Sequence, residues 1–153
     1  MEKRFGVTPT VIQREIREFN RSAWMATQPP LPEAVTYVKL LHAEGWTFIP
    51  ITSQTSDVPA QMLRKRLLSE LFGEHVFQNY FILETGDDKH SALSEFTKTG
   101  LHYVEDKWQN CITALKYGLK PILINHAYNL KFKHAKVKRV NNWRDIHQYL
   151  SKR

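Results

Sequence analysis

The chain carries a single cysteine, Cys111, in 153 residues. That excludes an internal disulfide and any zinc cluster built on cysteines, and it suits a reducing compartment. No apolar run approaches the roughly 18 residues of a membrane span, and the first stretch, Met1–Phe19, is too polar for a secretory signal. The expectation is a protein with no membrane association, cytoplasmic or in another reducing intracellular compartment. The seven histidines form no HxH or HxxxH pair, which argues against a histidine-based metal site. Aspartate is missing from the first third of the chain. The first is Asp57, and the acids before it are Glu2, Glu15, Glu18, Glu33 and Glu44, none of them following an apolar, strand-like run. There is no internal repeat and no low-complexity tract.

What is present is the composition of a globular protein, 42% hydrophobic and 24% charged, in a chain long enough to bury a core without staples. Lys plus Arg number 22 against 15 for Asp plus Glu, so the net charge is 22 − 15 = +7. Such a balance favours anionic partners, with a solvated basic surface as the plain alternative.

Helical and strand-like periods alternate. TPTVIQREIREFNR (Thr8–Arg21) has Val11, Ile12, Ile16 and Phe19 at helical spacing, with Thr8 placed to cap and Pro9 at the first helical position. After the extended connector Ala26–Pro32, the period returns over Pro32–Glu44 and stops at Gly45. Strands are expected at Trp46–Thr52, Tyr80–Glu84, Leu101–Val104 and Lys120–Asn125, and helices at Val58–Phe72, Asp87–Lys98, Lys107–Tyr117 and Asn142–Leu150. Short strands separated by helices imply βαβ units and a parallel sheet, with ligands bound beyond the carboxyl ends of the strands.

The chemically capable residues fall at those ends. Thr52 and Ser53 follow the first strand, Glu105 and Asp106 the third, Asn125 the fourth, and Lys89 lies in the first turn of the helix after the second. A strand-end hydroxyl with free backbone N–H groups beside it can hold a phosphate oxygen, although Thr and Ser are also ordinary turn residues. A lysine in a first helical turn opposes the helix dipole at a cost of about 0.3–1 kcal/mol. It either neutralises a phosphate and its attacking carboxylate, or is offset locally by Asp87 and Asp88. Adjacent carboxylates such as Glu105 and Asp106 repel unless a cation is near, and Mg²⁺ accepts one or two carboxylates plus phosphate. The alternative is that Asp106 caps the helix beginning near Lys107.

In that order, the motifs resemble the haloacid-dehalogenase-like (HAD) phosphohydrolase superfamily over Leu31–Leu150. LPEAVTYVKLLHAEGWTFIPITSQ is similar to its second motif region, TGDDKHSAL to the third, and HYVEDKWQNCITALKYGLKPILIN to the fourth. The ending VKRVNNWRDIHQYL resembles the deoxyribonucleotidase and polynucleotide-phosphatase branches. The resemblance implies an α/β fold, a three-layer Rossmann-like parallel sheet flanked by helices. Residues 32–153 would be its core, and residues 1–31, with the helical segment Thr8–Trp24, a remnant of the helical cap. It implies Thr52 and Ser53 as phosphate-binding residues, Lys89 as both phosphate-binding and catalytic, Glu105 and Asp106 as Mg²⁺ carboxylates, and a phosphorylated small molecule or nucleic acid as partner.

The departure from the family is its DxDx(T/V) motif, which supplies the nucleophilic aspartate and also the central strand between those bearing the second and fourth motifs. Nothing before Asp57 matches it. A chain of this kind would be inactive alone as a phosphohydrolase. The empty central position would expose two strand edges, so the flanking strands are expected to pair directly, or homo- or hetero-association to complete the sheet. A non-catalytic basic module binding nucleic acid or a protein assembly is the alternative. Lys131–Arg139 (KFKHAKVKR) alternates basic and apolar residues, as a half-buried edge strand or a phosphate-backbone contact would. Trp24, Trp46, Trp108 and Trp143 are too dispersed to make a base-stacking platform and are expected to be mostly core or boundary residues.

Overall fold

A computed structural model describes Gly6 and residues 8–152. The elements are α1 (Pro9–Arg21), a 3₁₀ turn (Ala23–Thr27), α2 (Ala34–Ala43), β1 (Ile51–Ser53), α3 (Val58–Phe72), β2 (Phe81–Leu83), α4 (His90–Ser94), β3 (His102–Glu105), α5 (Trp108–Lys116), β4 (Lys120–Ile124), β5 (Lys138–Val140) and α6 (Trp143–Leu150). The fold is mixed α/β, and every strand pair among the described residues is parallel. The contacts divide the chain into two units. One is the chain up to Pro29 with Phe48–Asp87, and the other is Pro30–Thr47 with the chain from Asp88 onward.

In the first unit β1 pairs with β2, Ile51 to Ser53 lying against Phe81 to Leu83. The strand expected from Trp46 begins only at Ile51, with an isolated bridge between Phe48 and Phe77 ahead of it. Pro50 has no N–H to give the ladder, so its carbonyl alone takes part, accepting from Phe81 N at 2.9 Å. Asp57 caps α3 by accepting from Ala60 N, and Gly73 ends it at φ +110°, where a side chain would be strained. Leu67 and Phe72 of α3 are buried, and the Phe72 ring meets Phe77 edge-on at 5.1 Å. Asn20 ties α1 to the strand ends: its amide donates to Gln54 O at 2.9 Å and Thr85 Oγ1 at 3.0 Å.

In the second unit the order is β3-β4-β5. β4 is the middle strand, and Pro121 to Ile124 are all buried, as a parallel strand covered on both faces requires. Val137, Leu123 and Cys111 pack together beneath Trp108 and Leu115. Burial pushes the Cys111 thiol up to about 12, which leaves it an inert core group. α6 is capped by Asn142, which accepts from Asp145 N at 3.0 Å, and buries Ile146 and Leu150.

Three expectations change. β1 and β3, the strands expected to pair with each other, belong to separate sheets, each hydrogen-bonded to its own neighbour. Of the first eleven residues, Pro9–Val11 open α1, while Met1–Phe5 and Val7 lie outside the described residues. The helix expected over Asp87–Lys98 contracts to five residues: Asp87 and Asp88 lie ahead of it, Lys89 takes the N-cap position, and Asp88 accepts from His90 N. Lys131–Arg139 is strand only at its end. β5 is an edge, but the residues before Lys138 form a loop in which Phe132 packs on Trp108.

Because Leu123 is wholly buried on the middle strand, Leu123→Ala should destabilise the protein by about 2–5 kcal/mol through lost transfer energy and the cavity left behind. Urea unfolding monitored by circular dichroism measures this; a shift below about 1 kcal/mol would place β4 outside the core.

Candidate functional site

Glu105 ends β3, and its position follows from strand geometry. Tyr103 and Glu105 are two residues apart and so share a face of the strand, which lets the Tyr103 hydroxyl donate to Glu105 Oε2 at 2.6 Å. The same oxygen accepts from Lys89 Nζ at 2.8 Å and from Asn110 Nδ2, in the first turn of α5, at 2.9 Å. Its partner Oε1 accepts the backbone N–H groups of Asp106 and Lys107 at 2.9 and 3.0 Å. Five donors thus converge on one carboxylate whose side chain is 6% exposed, beside a lysine side chain 16% exposed.

Burial by itself would raise the Glu105 carboxyl. The hydrogen bond from the Asp106 side, the Lys89 ammonium and the Tyr103 hydroxyl outweigh it and hold the group well below the carboxylate range. Asp106 shifts the other way, raised first by burial and then by the negative Glu105 beside it. The Tyr128 hydroxyl donates to Asp106 Oδ2. Buried beside these carboxylates, Tyr103 is pushed far above the usual phenol range, chiefly by desolvation and then by the Glu105 charge.

This arrangement bears on one of the alternatives at the third strand. Asp106 does not cap α5. Lys107 occupies the N-cap position without a side-chain cap bond, and Glu105 captures the N–H groups just ahead of the helix. Lys89, at the N-cap position of α4, has its charge matched by Glu105. For Mg²⁺ the donor set fits poorly. A carboxylate offers about four lone-pair positions, and five protein donors converge on Glu105. Among the described residues no group of three or more His, Cys, Asp or Glu side chains is arranged to hold a metal.

Lys89, Glu105 and Asp106 are therefore brought together in the second unit. Thr52 and Ser53 lie in the first. Thr52 is paired opposite Ile82 within the β1–β2 ladder, and the Ser53 hydroxyl donates to Asp87 O at 2.8 Å, closing the turn after β2. Asn125, at the end of β4, donates through its amide to Asn141 Oδ1 at 2.7 Å.

Beyond Asp106 the loop after β4 is held by a buried asparagine that sequence reading passed over. Asn129 donates to Asp106 O and Ile124 O, both at 2.8 Å, and accepts from His126 N and Arg139 Nη2 at 3.1 and 2.9 Å. Both amide hydrogens and both carbonyl lone pairs are used. Arg139 also donates to Phe132 O at 2.9 Å. Asn129 and Arg139 together fold the loop so that Tyr128 and Phe132 border a cavity of about 480 Å³ with Asp106 and Trp108. Tyr103 and Asn110 lie within the fourth-motif stretch but carried no role there, and Tyr128 and Asn129 lie outside every motif. The signals available were the two-residue step from Tyr103 to Glu105 and an asparagine one turn into the following helix.

Comparison with protein-family models, curated proteins and solved structures gives no match.

Glu105→Gln should remove about 3 kcal/mol at neutral pH by stranding the Lys89 ammonium. The folded-state pKa of Glu105 lies below its ordinary value of 4.5, so its contribution is fully present above about pH 4.5 and fades as pH falls below it. Urea unfolding at pH 7 and pH 3 should show the gap between wild type and variant narrowing at pH 3. An equal gap at both would mean that the charge itself contributes nothing.

Proposed function

We propose that the chain derives from a HAD-like phosphohydrolase and binds phosphate esters of nucleotides or nucleic acid without hydrolysing them. The motif order supports descent: a strand ending in Thr52 and Ser53, then Lys89, then the Glu105–Asp106 pair. On this reading each set of parallel strands descends from a three-layer Rossmann-like sheet, and α1 is what remains of a helical cap.

The observation that carries the loss of catalysis is the saturation of Glu105. In the resemblance, Glu105 and Asp106 would hold Mg²⁺, while Lys89 would neutralise phosphate and nucleophile together. Here the Lys89 charge is matched by Glu105 at 2.8 Å, and the remaining positions of that carboxylate are taken by Tyr103, Asn110 and two backbone N–H groups. A divalent ion would have to displace several buried hydrogen bonds, each costly to leave unmade. The basic excess of +7 still draws anions to the protein.

Incubation with nucleoside monophosphates and p-nitrophenyl phosphate in millimolar Mg²⁺ should release no phosphate above a protein-free control. Isothermal calorimetry should detect monophosphate binding whose affinity does not depend on Mg²⁺. Mg²⁺-dependent turnover that disappears in Asp106→Asn would overturn the non-catalytic reading and restore the acidic pair as a metal site.

A further inference from the structure

The four tryptophans are too far apart in sequence to build a platform together, but tertiary structure gives one of them a different aromatic partner. Trp108, at the start of α5, lies parallel to Phe132 from the loop before β5, with ring centroids 5.3 Å apart and planes within 8°. A second flat pair, His126 on Tyr128, is stacked at 5.3 Å and 4° in the loop after β4. Trp108, Phe132 and Tyr128 line the same cavity of about 480 Å³. Tyr128 is 58% exposed, a wide contact for a large aromatic ring in a loop otherwise tied down by Asn129 and Arg139.

The polar lining is of a matching kind. Lys107 and Lys131 border the cavity and are exposed, and Lys131 Nζ lies 5.2 Å from the centre of the Phe132 ring. Gln109 and Asp106, in the same wall, supply amide and carboxylate groups suited to the edge of a base. Lys133 and Lys136 continue the exposed positive charge along the loop. Flat aromatic surfaces beside a lysine track are what single-stranded nucleic acid requires: bases stack on the rings, in any sequence, while the backbone phosphates meet the cations. Duplex DNA or RNA keeps its bases stacked on one another and cannot offer them to such a pocket.

We propose that this cavity, between the start of α5 and the loop joining β4 to β5, stacks a base of single-stranded nucleic acid, with Lys107 and Lys131 against the adjoining phosphates. The proposal rests on the reading of the chain as a binder of nucleotide or nucleic-acid phosphate esters, and it uses side chains other than Lys89 and Glu105.

The test is fluorescence anisotropy with a labelled ten-nucleotide single strand, as DNA and as RNA. Wild type should bind the single strand in preference to a duplex of the same sequence. Phe132→Ala should weaken binding about tenfold. Lys131→Ala should reduce the slope of log affinity against log salt by about 0.7, the change expected for one phosphate contact on a single strand. Lys131 is exposed, so its variant gives a reading even if Phe132→Ala disturbs the packing beneath Trp108; circular dichroism checks the fold of both. Equal affinity for the duplex, unchanged binding in a folded Phe132→Ala, or a salt slope unaltered in Lys131→Ala overturns the proposal. So does competition by a nucleoside monophosphate as effective as that of the oligonucleotide, which would make the cavity a small-ligand site. Monophosphate binding by calorimetry without any oligonucleotide binding overturns the stacking pocket and leaves the phosphate-ester reading intact. Oligonucleotide binding lost in Phe132→Ala, with no monophosphate binding at all, upholds the pocket and removes the nucleotide half of that reading.

Discussion

A buried carboxylate is the constraint on which the second unit depends. An isolated charge out of water costs far more than the net stability of a domain, so Glu105 exists where it does only because β3, α4 and α5 each deliver a donor to it. Tyr103 comes from the same strand, Lys89 from the start of α4, Asn110 from the first turn of α5, and two N–H groups from the chain between β3 and α5. The geometry is mutual. Those five groups fix the carboxylate, and the carboxylate fixes the entry of α5 and with it Asp106 and Trp108.

Stability and metal chemistry make opposed demands on such a group. A catalytic carboxylate must keep oxygen positions open for an ion, whereas a buried structural one must fill them all. Five donors meet at Glu105, while Asp106, next in sequence, accepts from the Tyr128 hydroxyl. The loop after β4 repeats this logic with a neutral group. Asn129 satisfies all four of its hydrogen-bonding positions inside the protein, and this lets the loop present Tyr128 and Phe132 outward without losing its shape.

Much of the fold was legible because its local signals agree. Asp57 and Gly73 bracket α3, Asn142 caps α6, and the run Pro121–Ile124 reads as a buried strand and is one. Legibility failed where a local pattern met a competing interaction. Pro50 cut β1 short, Asp87 and Asp88 lie ahead of α4 with Asp88 accepting from His90 N, and the alternation in Lys131–Arg139 was overridden by the packing of Phe132 on Trp108. At the site, Lys89, Glu105 and Asp106 could be named from the sequence, but not their hydrogen-bond partners, since nothing in the fourth-motif stretch marks Tyr103 and Asn110 as donors.

The sequence by itself determined the alternation of helices and parallel strands, the basic excess and the strand-end positions of the polar residues, because these depend on period, composition and caps. Tertiary structure decided that five donors meet at Glu105 and that Asp106 accepts from the Tyr128 hydroxyl. It also decided that β1 and β3 serve different sheets, and that Trp108 meets Phe132 across 24 positions of chain. The reason is physical: hydrogen-bond saturation and ring stacking depend on which groups meet in space, and no local period encodes that.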